Sequence, residues 1–201
     1  MQAVSFAADL FSQGPRTLID DPEGGCVYHP GFVDAVRADA WFAQLRDEVE
    51  WRSWSRPMYD RVVDVPRLTS GYLLDGSVPL PAALAAAHAA IRDYTGVPFT
   101  HVGMNFYRDG NDSVAPHNDK LKTLIPGHPI VLLSLGEARR MEIREKLPPR
   151  RVVRLDLEAG SLLTMSHAMQ ATHDHGIPKT KHAVGPRISL AFRVRPPKDN
   201  A

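Results

Sequence analysis

HVGMNFYRDGNDSVAPHNDKL, residues 101–121, sets the texture of the second half of this chain. Short runs that alternate apolar and polar residues stop at Gly, Asp and Pro, which is how half-buried strands joined by turns are written. Outward from it the same texture repeats in PIVLLSLG (129–136), ARRMEIRE (138–145), RVVRLDLEAGSLLTMS (151–166), THDHGIP (172–178) and HAVGPRISLAFRVRP (182–196). About eight strands over roughly a hundred residues predict a mainly β fold with flanking helices (α+β), of the sandwich or jelly-roll kind.

The residues before position 97 read differently. From Val33 to about Glu50, Trp41, Leu45 and Val49 recur at four-residue steps with charges between them, which predicts a helix. A second helix is expected over 81–94. Pro81 suits its start, Gly96 its end, and Leu84, His88 and Ile91 its buried stripe. His88 there is expected to pack rather than to ligate. Between the helices, residues 51–77 mix aromatics, arginines and short β-like runs, which predicts two hairpin-like strands. The expected organisation is one domain over 1–201: an extension and support helix (1–50), a lid (51–77), a second support helix (78–96) and a β core (97–197).

Composition narrows the classes. No apolar run approaches the ~20 residues of a membrane helix, and the N-terminus lacks a basic start followed by an apolar stretch. Cys26 is the only cysteine, so no intrachain disulfide is possible. A cytoplasmic monomer with no membrane partner is expected. Net charge is +1, but residues 1–100 carry 8 Lys/Arg against 13 Asp/Glu, and residues 101–201 carry 16 against 10. The basic second half permits a phosphate-bearing partner.

Side chains two apart on a strand share a face. His117 and Asp119 are such a pair, as are Asn105 and Tyr107; Arg187 and Arg193 also share a face, opposite Ile188, Leu190 and Phe192. Two histidines and one carboxylate can cover one side of a metal and leave the other side open for cosubstrates. The spacing alone leaves four candidates for the second histidine: His167, His173, His175 and His182. Two arginines buried on one strand call for an anion, and a dicarboxylate suits their paired donors.

VPRLTSGY (65–72), NFYRDGNDSVAPHNDK (105–120), AGSLLTMS (159–166), HDHGIP (173–178) and GPRISLAFR (185–193), in this order, resemble the AlkB family of nucleic-acid dealkylating oxygenases. The resemblance implies a double-stranded β-helix, with iron(II), 2-oxoglutarate and dioxygen as cofactor and cosubstrates. It implies iron ligands at His117, Asp119 and His175, the last because it opens HGIP. Asn105, Tyr107, Arg187, Ser189 and Arg193 would bind 2-oxoglutarate, Arg187 at the distal carboxylate and Arg193 at the chelating end. Ser189 stands where the family often has Asn, and Leu121 where it often has an acidic residue that recognises the damaged base. The implied activity is DNA repair by oxidative dealkylation of alkylated DNA or RNA, on a base flipped out or single-stranded. Trp54, Tyr59 and Tyr72 are lid candidates for stacking, Arg56, Arg61 and Arg67 for phosphates, and Leu121 for the base. The alternatives are an oxygenase of a protein side chain or small molecule, and a non-catalytic β-barrel binding module.

Overall fold

The computed structural model describes residues 14–58 and 61–197, with backbone alone at 56–58 and 61–64. Tyr59 lies outside the described residues, and Arg56 and Arg61 are placed only by their backbone. In chain order the elements are β1 (Arg16–Ile19), β2 (Cys26–His29), α1 (Ala35–Glu48), β3 (Ser55–Met58), β4 (Arg61–Asp64), β5 (Leu68–Leu73), α2 (Ala82–Thr95), β6 (His101–Tyr107), β7 (Val114–His117), β8 (Ile130–Gly136), β9 (Arg139–Glu145), β10 (Val152–Leu157), β11 (Leu162–Met165), α3 (Met169–Thr172), β12 (His173–Ile177) and β13 (Arg187–Arg193). Residues 101–193 thus supply eight strands, as the alternation predicts.

The strands form a seven-stranded sheet in the order β1-β2-β11-β8-β13-β6-β5 and a four-stranded sheet in the order β10-β9-β12-β7, with β3-β4 as a separate hairpin. All pairings are antiparallel. This is the jelly-roll arrangement. It works because β13 and β8 are buried on both faces. Ile188, Leu190 and Phe192 pack outward under the helices, together with Leu45, Leu84 and Ile91. Ala191 and Leu132 point the other way, into a second core shared with Met141, Ile143 and Ile177 of the smaller sheet.

The helices end near the expected positions for identifiable reasons. Asp34 caps α1 by accepting the Arg37 N–H. Gly96 closes α2 at φ 67°, a left-handed conformation that costs glycine little. Pro81 is the residue before α2 rather than its first helical position. His88 stacks on Phe192, with ring centroids 6.0 Å apart, and is a packed histidine. Among the described residues no helix is long and apolar enough to cross a membrane.

Candidate metal and cosubstrate site

The site begins with strand parity. On β12, His175 and Ile177 point between the sheets and are buried. His175 lies directly opposite His117 of β7, and the two rings are 4.6 Å apart. Gly176 between them is dictated by space, because a Cβ there would stand 2.7 Å from the Val114 carbonyl oxygen. The other histidine candidates do not face His117. His173 pairs across to Glu145, and its Nδ1 shares a 2.8 Å hydrogen bond with the Thr172 hydroxyl. Asp174 stands 3.7 Å from the Lys146 ammonium. His182 is exposed in a loop and His167 is half-buried before α3.

One geometric expectation is corrected. β7 ends at His117, so Asp119 is not its same-strand neighbour. Asn118 and Asp119 lie in the loop after β7, and the Asn118 side-chain amide donates to the Asp119 carbonyl at 2.9 Å. The Asp119 N–H donates to Gln170 Oε1 (3.1 Å), and its carboxylate accepts from Arg193 Nε and Nη2, both at 3.0 Å. With its carboxylate held on Arg193, Asp119 does not close on the two histidines. Among the described residues no three His, Cys, Asp or Glu side chains stand together tightly enough to form a metal cluster.

The donor chemistry nevertheless fits a metal. His117 Nδ1–H donates to the Ala115 carbonyl at 3.0 Å, which leaves the Nε2 lone pair free to ligate. Burial lowers the His175 pKa to about 4 against the opposing pull of Asp119, so its ring is neutral. His175 Nδ1 is buried without a partner. Each Asp119 oxygen gives one lone pair to Arg193 and retains another.

Beside the histidines, in the same cavity, the site becomes strongly cationic. Arg187 is 1% exposed, the largest of the fully buried side chains. Its Nη2 donates to Ser134 Oγ at 3.0 Å, but Nε and Nη1 have no partner. Burial pushes its pKa down, the sign of a cation lacking a counter-charge. The Arg187 and Arg139 guanidiniums lie 5.2 and 5.7 Å from the centre of the Tyr107 ring. Burial raises the Tyr107 pKa although Arg187, Arg67 and Arg139 all pull it down, so the phenol stays protonated. Asn105, Tyr107, Ser189, Arg187 and Arg193 line one narrow cavity with His117 and His175. Sequence parity therefore brings together every proposed cosubstrate residue. Arg193 departs from expectation. Its Nε and Nη2 hold Asp119 and its Nη1 donates to the Ala191 carbonyl at 3.1 Å, which engages three of its five N–H groups within the chain.

The narrow cavity opens beside a larger cleft of about 610 Å³, and both are lined by Arg67, Val114, His117, Gly176 and Ile177. Arg144, Lys179 and Glu142 also line the cleft. Arg67 reaches further in than a lid residue should, donating to Asn105 Oδ1 at 2.6 Å and to the Ser113 carbonyl at 3.2 Å. Trp54 is 58% exposed. Tyr72 packs on the outer core and lies away from the cleft. Leu121 is half-buried on a single 3-10 turn, Leu121–Thr123.

Three contributors were not anticipated. Ser134 holds Arg187, and Gln170 holds the Asp119 backbone. Arg139, buried on β9, donates to the carbonyls of Asp109, Asp112 and Pro178 at 2.8, 2.9 and 2.9 Å. It thereby ties the segment before β7 to the segment after β12. Parity with Met141 and Ile143 is the signal that marks Arg139 as inward-facing and Arg140 as outward-facing.

The model of the 2OG-Fe(II) oxygenase superfamily matches residues 25–193. Alpha-ketoglutarate-dependent dioxygenase alkB homolog 3 of Mus musculus is 35% identical over 191 residues, covering 84% of this chain and 65% of that protein. Its Homo sapiens counterpart is 33% identical over 190 residues, with 84% and 65% covered. DNA oxidative demethylase ALKBH2 of Homo sapiens is 34% identical over 204 residues, with 90% and 78% covered. The chain spans just under two thirds of the length of the alkB homolog 3 relatives.

Proposed function

The chain belongs to the 2OG-Fe(II) oxygenase superfamily and, within it, to the AlkB family, and we propose that it oxidatively removes alkyl groups from damaged bases in DNA or RNA. The observation that carries the cosubstrate half of this reading is Arg187. A fully buried guanidinium with two unpartnered nitrogens is costly unless a carboxylate meets it. A dicarboxylate whose distal end pairs with Arg187, with Tyr107, Asn105 and Ser189 beside it, would supply that partner and extend toward the two histidines.

His117, Asp119 and His175 would hold the metal. Bound there with 2-oxoglutarate and dioxygen, iron(II) would supply the oxidation of the alkyl carbon on a base nitrogen. The protein's part is placement. The Ala115 carbonyl keeps His117 in the ligating tautomer, and Arg193 and Gln170 set Asp119 from two sides. Leu132, Met141, Ile177 and Ala191 form apolar walls that keep water from the reacting centre. The cleft outside His117 receives the base, with Arg67, Arg144 and Lys179 as basic groups along it. Of the 51–77 segment, β5 belongs to the seven-stranded sheet and the part before it acts as the lid, where the exposed Trp54 offers a stacking face worth ~1–3 kcal/mol per base. One chain supplies every residue named, so a monomer suffices, and the buried lone thiol of Cys26 suits the cytoplasm.

The test is aerobic incubation with iron(II), ascorbate, 2-oxoglutarate and methylated oligonucleotides. Succinate and a repaired base, read by mass, are expected. Succinate formed only with a protein or small-molecule substrate would move the reading to the related oxygenase that Leu121 keeps in play. Metal binding without succinate on any substrate would leave a binding module.

A further inference from the structure

A second cationic pocket lies on the far side of Arg193. It measures about 250 Å³ and is lined by Gly71, His101, Gly103, Arg193 and Arg195 among others. That is roughly eight waters' worth of space. Its floor is made by two glycines, Gly71 on β5 and Gly103 on β6, which face each other in register. Any side chain at 103 would press on Arg193, since a Cβ there comes within 3.3 Å of Nη1. Arg187 does not reach this pocket, so it is separate from the dicarboxylate site, and Arg193 is the wall between them.

Arg195 is the unexplained group. It is half-buried, and its Nε is buried with no hydrogen-bond partner. Its backbone is pinned by Thr100, whose hydroxyl accepts the Arg195 N–H at 2.9 Å and donates to the Arg195 carbonyl at 3.2 Å. The same hydroxyl shares a 2.9 Å hydrogen bond with His101 Nδ1. Burial first, then the like charge of Arg193, pushes the Arg195 pKa down against a weaker pull from Asp119. Asp119 is already committed to Arg193. Among the described residues Arg195 has no ion pair of its own. A half-buried guanidinium on a pinned backbone, beside a second one and over a floor without side chains, is built for an anion.

We infer that this pocket is an oxyanion subsite, centred on Arg195 and backed by Arg193 and His101, that takes a phosphate group of the substrate strand. The strand as source rests on the nucleic-acid reading above; the oxyanion chemistry does not. The room suits a tetrahedral phosphate with part of its hydration shell. Arg193 would then stand between the metal-binding carboxylate of Asp119 on one side and a backbone phosphate on the other.

The test compares wild type, Arg195→Gln and Arg195→Lys in the full chain, with thermal melts to verify folding. One arm titrates inorganic phosphate, followed by phosphorus NMR line width. The other measures binding of an unmodified single-stranded oligonucleotide as a function of salt. Arg195→Gln is expected to bind the oligonucleotide roughly five- to tenfold more weakly at low salt, with a log–log salt slope shallower by about 0.7. Arg195→Lys should restore the slope and part of the affinity. Phosphate binding that depends on Arg195, with an unchanged oligonucleotide slope, keeps the oxyanion site but assigns it to free phosphate. Variants indistinguishable from wild type in both arms overturn the inference. A wild type that binds no oligonucleotide at all counts against the nucleic-acid reading, while the phosphate arm still decides the site.

Discussion

His117 and His175 sit directly opposite each other across the β7–β12 pair, with their rings 4.6 Å apart. Neither strand places a ligand set alone. The register of that pair, set by the small Gly176 and by a bulge before Ile177, makes a two-histidine site out of residues far apart in sequence.

The histidine assignment is tested by metal binding. His175→Ala is expected to abolish manganese(II) binding, a spectroscopic stand-in for iron(II), together with turnover. His173→Ala should stay within the ~10–100-fold cost of outer-partner changes. Loss of binding by His173→Ala with retention by His175→Ala would reverse the assignment.

Gly176→Ala should weaken the metal site without touching a ligand. The added methyl meets the Val114 carbonyl and the Pro116 nitrogen at 2.7 and 3.0 Å, so β7 must move away from β12. Overpacking of this kind costs about 1–3 kcal/mol. Manganese affinity should fall at least tenfold at temperatures where the variant remains folded by circular dichroism. Unchanged affinity would show that register is not what joins the histidines.

Arg187→Met separates stability from function. Replacing an uncompensated buried charge by an apolar side chain of similar length is often neutral or stabilising by about 1–4 kcal/mol. The ligand-free variant is therefore expected to melt no lower than wild type. Added 2-oxoglutarate should raise the wild-type melting temperature by mass action and leave the variant unmoved. A 2-oxoglutarate shift retained by the variant would mean the dicarboxylate is held elsewhere.

Asp112 should shape the acid limb of stability. Burial alone would raise its pKa, but the Arg108 side-chain and backbone donors outweigh burial and hold it below the ordinary 3.8. A depressed carboxylate contributes stability that is fully present above the unfolded pKa and lost as pH falls through the lower folded value. Wild type should thus lose stability below about pH 4. Asp112→Asn should flatten that part of the curve. At neutral pH it should cost about 1.5–3 kcal/mol, because the carboxylate, 4% exposed, accepts three bonds from Arg108. The check is urea unfolding across pH. An unaltered acid limb would rule out the linkage.

Sequence alone was enough for the eight-stranded β half, for both helices and for the parity that aims Asn105, Tyr107, Ser189, Arg187 and Arg193 into one cavity. Strand alternation is local and of period two, so a face can be assigned without knowing what it meets. The resemblance carried by HGIP then separated His175 from its three rivals. Composition and pattern could not decide three further things, because each depends on groups brought together only by folding. Asp119 leaves the strand and turns onto Arg193, a contact made by a loop and a distant strand end. Ser134, Gln170 and Arg139 became part of the site because β8, α3 and β9 pack against it, and their residue types carry no mark of that role. Arg195 was ordinary in the sequence; only burial beside another guanidinium, with the nearby Asp119 already paired to Arg193, makes it conspicuous. Side-chain direction is a property of the strand, whereas charge balance is a property of the whole fold.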